Sequence, residues 1–237
     1  MDGVMQKVWD ATVLSLTEIV LSNGKRYKST CIGFLVQPNF YVTVHHRVSA
    51  LASKIPELDP RKSGGKDPVM KVQSISPVAS AKFIDFGELK LVKDSQEEDF
   101  TVYRASLRLA DKYRGKFLSA KPATLKLGDK LYWFRYVDGK PVKLAGSKLP
   151  VYDETTIVSA ATEDDTGVSG GFLVDKLLLE GESGAPFVDT AGNLVGFAVA
   201  QVSWFGHSSA RRGPGANSVR GGAGIVGDIR EVYRNLR

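Results

Sequence analysis

The sequence predicts an all-β chain organised as two antiparallel β-barrels, and three observations carry that reading. Short apolar runs of strand length, separated by turn residues, follow one another along most of the 237 residues, and only the last residues show helical spacing. The stretch Ala105 to Leu118 is charged and weakly patterned, as a linker between two units is. A chain of 237 residues with 43% hydrophobic content can bury one large core or two small ones, and two barrels of ordinary size fit.

In the first half the expected strands are Val8 to Leu16, Tyr27 to Val36, Tyr41 to Val44, Val69 to Ile75, Leu89 to Val92 and Phe100 to Arg104. Pro60 to Pro68 reads as a loop by its Pro, Gly, Ser and Lys content. The second half repeats the pattern with Leu125 to Tyr136, then Asp138-Gly139 as a hairpin turn. Thr155 to Ala160, Gly171 to Leu173, Phe187-Val188 and Leu194 to Val202 follow as strands. The tail from Ile225 to Arg237 spaces its apolar residues as a helix does, with Asp228 as N-cap. Gly206 to Gly222 is rich in Gly, Ser and Arg and reads as a loop beside the cleft. The expected units are therefore 1–108 and 109–237.

The chemistry concentrates in Leu179-Glu180-Gly181-Glu182-Ser183-Gly184-Ala185-Pro186. A serine between small residues in a tight turn can serve as a nucleophile with its own oxyanion hole, because Gly181 can take backbone angles that aim its N–H, with that of Ser183, at one developing charge. Gly184 leaves room for a substrate backbone. A serine hydroxyl needs a base, and the base needs a carboxylate to fix its tautomer. Of three histidines, His207 lies in a polar, glycine-rich stretch, whereas His45 and His46 end the apolar run Phe40 to Val44. Strand alternation lets one of that pair enter a site. Asp99, just before the strand Phe100 to Tyr103, is the natural carboxylate, with Asp85 as competitor. The chain order His, Asp, Ser is that of one convergent triad solution.

Gly33-Phe34-Leu35-Val36, Val42-Thr43-Val44-His45-His46, Asp99-Phe100-Thr101-Val102, the serine turn and Gly192-Asn193-Leu194-Val195-Gly196-Phe197 together resemble the chymotrypsin-like fold. The pattern is more narrowly similar to the polyprotein-processing serine proteases of positive-strand RNA viruses such as sobemoviruses. The resemblance covers most of the chain. It implies two six-stranded antiparallel barrels with a short C-terminal helix and an active site in the cleft between them. It also implies a serine endopeptidase working through an acyl-enzyme on a viral polyprotein, in trans or in cis. In that family the histidine stands three residues after the strand threonine, which selects His46, and the aspartate opens a D-[apolar]-x-[apolar] strand, which selects Asp99. Relatives that cut after Glu or Gln hold a histidine in the strand that here reads Gly196-Phe197-Ala198-Val199-Ala200, and a Thr or Ser five residues before the nucleophile. This chain has Ala198 and Leu178 at those places. The expected pocket of Leu178, Ala198, Val199 and Ala200 therefore suits an apolar or small side chain, unless His207 reaches in from its loop.

Composition points to the setting. The lone Cys31 allows no intrachain disulfide and fits a reducing, host-cell cytoplasmic location, with Cys31 itself a small core residue. No cofactor is expected, and three histidines with one cysteine offer no metal-ligand spacing. The first residues lead into no signal peptide and no run reaches the length of a membrane span, so membrane attachment would lie in flanking precursor segments. A formal charge of +6 and a pI near 9.3 allow a weak RNA contact through the basic loops 60–66 and 210–220. Two other functions share these features. One is a cellular chaperone-type protease of the same fold, which usually adds a peptide-binding module for which this chain leaves no room. The other is a catalytically silent RNA-binding or scaffold domain, against which the retained triad types and glycines argue.

Overall fold

The computed structural model describes residues 1–21, 23–36, 39–46, 69–77, 84–85, 89–106, 118–119, 125–137, 139–161, 170–202 and 223–234. Met5, Val8 and Trp9 fall at helical spacing, and Asp2–Ala11 forms helix α1 with those side chains and Ala11 buried. The strand expected from Val8 therefore begins only at Thr12. Tertiary packing explains the correction: the Trp9 ring meets Phe134 edge-on, with centroids 5.4 Å apart, and Asp2 accepts a hydrogen bond from the Tyr152 hydroxyl at 2.7 Å. Helix α1 thus packs on the second half of the chain.

Burial alternates along the segment from Thr12 to Val20, and β1 (Thr12–Val20), β2 (Arg26–Val36), β3 (Phe40–Val44), β4 (Val69–Pro77), β5 (Ile84–Asp85), β6 (Lys90–Ser95) and β7 (Phe100–Arg104) form one antiparallel sheet. Its seven strands run in the order β5-β4-β1-β2-β3-β7-β6. The two edge strands are consecutive in sequence. Lying flat, they would stand six spacings of about 4.8 Å apart, roughly 29 Å. The chain from Asp85 to Lys90 spans at most about 18 Å, so the sheet must roll.

The second half holds β8 (Lys130–Phe134), β9 (Tyr136–Val137), β10 (Lys140–Pro141), β11 (Tyr152–Ala161), β12 (Gly171–Val174), β13 (Pro186–Val188), β14 (Leu194–Val202), β15 (Ala223–Asp228) and helix α2 (Ile229–Arg234). Six of these close into a barrel in the order β11-β12-β15-β14-β13-β8, the last pairing back to β11. Strands β9 and β10 form a hairpin with Gly139 in its turn at φ +71°. Two expectations shift. The start of Leu125 to Tyr136 is a turn, where Lys126 N–H bonds to the Asp129 carboxylate. The tail is strand up to Asp228, because Gly227 sits against the Phe197 ring, where a Cβ would lie 2.4 Å from Phe197 Cζ. The helix starts after that, capped by Asp228 Oδ1, which accepts the Arg230 N–H at 2.8 Å.

Buried side chains of the two halves meet, and Phe34 of β2 lies 6.5 Å from Phe197 of β14 between ring centroids. Leu118 pairs with Val36, so the chain leaves the first half still bonded to it. The boundary at 108/109, the loops 60–68 and 206–222, Asp138 and His207 lie outside the described residues.

Candidate active site

Antiparallel pairing of β3 with β7 sets Val44 opposite Phe100, which brings the residues after β3 beside those before β7. His45 N–H donates to the Asp99 carbonyl at 3.2 Å. Asp99 has φ +54°, the one described non-glycine residue with positive φ, in a left-handed conformation that aspartate tolerates better than most residues. That twist turns its carboxylate back onto His46. Oδ1 accepts the His46 N–H at 2.8 Å and Oδ2 meets Nδ1 at 2.6 Å. Asp99 is 4% exposed. His45 points the other way, its Nδ1 2.9 Å from Asp94 Oδ1 in a partly exposed pair. Asp85 lies on β5 in register with Ser74, four places from β3 in the pairing order.

Across from this pair, His46 Nε2 stands 3.1 Å from Ser183 Oγ, which is also 3.1 Å from the Val199 carbonyl. With Nδ1–H given to the carboxylate, Nε2 is left with the lone pair that can take the serine proton. In the serine turn, Glu182 N–H bonds to Leu179 O, Gly184 N–H to Ala198 O and Ala185 N–H to Glu182 O. Among the described residues nothing accepts from the N–H groups of Gly181 and Ser183. Gly181 has φ +92°, the freedom expected of it. Because the asparagine side chain cannot hold the imidazole in this tautomer, Asp99→Asn is expected to lower turnover roughly 10⁴-fold, measured as kcat against a peptide substrate, while Asp85→Asn is mild.

No family model and no curated protein matches the sequence. Solved structures match by shape. The Rv3671c protease of M. tuberculosis in its active form aligns with a TM-score of 0.54 at 14% identity, over 98% of this chain and 82% of that chain. A variant of the HtrA-type protease AlgW with a decapeptide aligns at 0.56 and 12% identity, over 98% of this chain and 64% of that one. This chain has the chymotrypsin-like fold. The all-β reading with a closing helix stands, and the count of six strands holds for the second barrel, while the first-half sheet has seven in the described residues.

Within this fold the glycine after Ser183 has another task than admitting substrate. Gly184 has φ +87°, and a Cβ there would lie 2.0 Å from the Ile32 carbonyl of β2. The serine turn is thus pressed against the first half's backbone, beside Thr43, whose hydroxyl donates to the same carbonyl at 2.8 Å. Gly184→Ala is expected to cost about 3 kcal/mol or more in a chemical-denaturation measurement, since strained φ and a backbone clash act together.

Of the expected pocket residues, Leu178, Ala198 and Val199 are buried, and Ala200 lies on β14 opposite Ile225. Leu178 packs over Gly224, where a Cβ would be 2.8 Å from its Cγ. Cys31 is buried, with Thr43 Oγ1 3.3 Å from its sulfur. The sequence reading missed Glu182. An acid between Gly181 and Ser183 reads as a surface turn residue, yet it is fully buried. Its Oε2 accepts the Leu179 N–H at 2.7 Å, and its Oε1 meets the Tyr136 N–H at 3.2 Å and Arg135 Nε at 3.1 Å. Burial pushes this carboxyl above its ordinary range, against the pull of the two N–H groups and Arg135. No local signal marks it, since its partner Arg135 comes from another element 47 residues away. Among the described residues no His, Cys, Asp or Glu cluster could hold a metal ion, and no helix is long and apolar enough to cross a membrane.

Proposed function

We propose that the chain is a serine endopeptidase acting through Ser183, His46 and Asp99. The observation that carries this reading is the continuous relay from Asp99 Oδ2 through the imidazole to Ser183 Oγ, at 2.6 and 3.1 Å. Ser183 Oγ attacks the scissile carbonyl carbon as His46 Nε2 takes its proton, and Asp99 stabilises the imidazolium. The carbonyl oxygen, now carrying the negative charge, is received by the N–H groups of Gly181 and Ser183. Collapse breaks the C–N bond and the amine leaves with the proton from Nε2. Water, deprotonated by the same nitrogen, then releases the acyl group from Ser183.

The substrate is a polypeptide, and the motif pattern of the serine turn and of Val42 to His46 favours a viral polyprotein over a cellular chaperone-type substrate. A fluorophosphonate probe tests the core of the reading. It should modify Ser183 and no other residue, as located by peptide mass spectrometry; a folded protein that stays unlabelled, or labels elsewhere, overturns it.

For the acyl-side pocket, the buried Leu178 and Ala198 favour an apolar or small residue. Profiling on a peptide library should give a graded preference, because each methylene accepted or refused is worth about 1–3 kcal/mol. Ala198→His with Leu178→Thr should shift selectivity towards Glu or Gln. A native profile dominated by Glu or Gln would move the polar contact to another group, His207 first.

A further inference from the structure

The relay uses nothing from the segment that joins β10 to β11, and that segment carries charge and apolar surface the fold does not cover. Val142 ties its base to the barrel, donating its N–H to Arg135 O at 2.9 Å and accepting the Val151 N–H at 2.7 Å. Beyond those bonds the chain runs through six consecutive exposed residues, Lys143-Leu144-Ala145-Gly146-Ser147-Lys148. Their backbone has a fixed shape. Gly146 has φ +77°, the Ser147 N–H donates to Leu144 O at 3.1 Å, and the Ser147 hydroxyl donates to Leu149 O at 2.7 Å. Leu144, where this turn begins, is 66% exposed. Val137, in register with Lys140 on the neighbouring hairpin, is exposed too.

From Gly139 to Tyr152 the sequence holds Lys140, Lys143 and Lys148 and no acid. Among the described residues none of these lysines is in a salt bridge. Lys143 lies 5.6 Å from the Trp9 ring centroid, and all three are exposed. Of the neighbouring acids, Asp153 pairs with Lys176 and Asp2 accepts from the Tyr152 hydroxyl, while Asp138 lies outside the described residues. Leu127 shows the contrast. It is 70% exposed, but its turn balances Lys126 with Asp129, and the adjoining Lys130 is paired with Glu154.

We propose that the 143–148 loop is a docking surface for an anionic lipid bilayer, with Leu144 entering the headgroup region and Lys140, Lys143 and Lys148 facing the lipid anions. Complementarity chooses this occupant. A nucleic-acid backbone would satisfy the lysines and leave Leu144 in water, and an apolar protein groove would cover Leu144 and leave the lysines unpaired. A lipid interface offers anions and an apolar layer in one plane. One leucine and three lysines give reversible attachment, in which each lysine near an anionic leaflet strengthens binding about fivefold and the attraction fades within roughly 8 Å at physiological salt. The inference does not depend on the protease reading.

Co-sedimentation of the full chain with vesicles tests it. At low salt the protein should bind vesicles of phosphatidylcholine with phosphatidylserine but not of phosphatidylcholine alone, and should be released as salt is raised. Lys140→Gln and Lys148→Gln should each weaken binding about fivefold. Leu144→Ser, which leaves the charge unchanged, should weaken it roughly threefold or more, since attachment scales with the apolar area inserted. Lys28→Gln, at an exposed lysine of β2, should leave binding unchanged, and a thermal melt checks that each variant is folded. Failure of the native chain to bind the anionic vesicles overturns the proposal. So does binding that Leu144→Ser leaves intact, which would reduce it to attraction by net charge. A single-stranded RNA held through the same lysines, insensitive to Leu144→Ser and unaccompanied by vesicle binding, would assign the loop to nucleic acid instead.

Discussion

Ser183→Ala is expected to abolish peptide-bond cleavage, with kcat falling on the order of 10⁵- to 10⁶-fold, because nucleophile and base act as a unit and losing one leaves only binding and oxyanion stabilisation. The fold should survive. The Ser183 hydroxyl makes two contacts, to His46 Nε2 and to the Val199 carbonyl, both at 3.1 Å, and neither anchors the turn. The turn is held instead by the Glu182 carboxylate and by Gly184 N–H bonded to Ala198 O at 2.7 Å. Steady-state kinetics with a thermal melt decide the matter, and an alanine variant that turns over at the native rate removes Ser183 from the chemistry.

His46→Ala should be nearly as costly, on the order of 10⁵-fold or more, and adding it to Ser183→Ala should cost almost nothing further, since the relay is already broken. His45→Ala is the informative control. Its imidazole faces Asp94 in a pair whose side chains are each 30% exposed, and such pairs are worth about 1 kcal/mol or less, so activity should stay within a few-fold of native. If His45→Ala is the dead variant and His46→Ala the active one, the base has been placed one residue too late.

Alternation and turn chemistry made the strands legible, because an antiparallel strand with one face buried writes its period of two into the chain. β1 from Thr12 is such a case. The N-terminal helix was not legible in that way. Val8, Trp9, Val13 and Leu14 fit a strand as well as a helix, and only tertiary packing chooses, with Met5, Val8 and Trp9 buried and the Trp9 ring docked on Phe134 of the second half. The same ambiguity, reversed, hid β15: Ile225 and Val226 read as a helix start until β12 and β14 claim both edges of the segment.

By itself the sequence determined that a small-residue serine turn, a histidine pair at a strand end and an acid before another strand lie in the order His, Asp, Ser. Those features are local, and a turn or strand end is specified by the few residues that form it. Which groups meet was decided by tertiary structure. The β3–β7 register and the left-handed backbone of Asp99 aim its carboxylate at His46 and leave His45 to Asp94. Gly184 is needed by Ile32, far away in sequence, and not by its neighbours. Glu182 and Arg135 stand 47 residues apart and look like surface charges until the barrel closes around them. A buried ion pair depends on desolvation and on a partner from another element, and neither leaves a periodic mark on the chain.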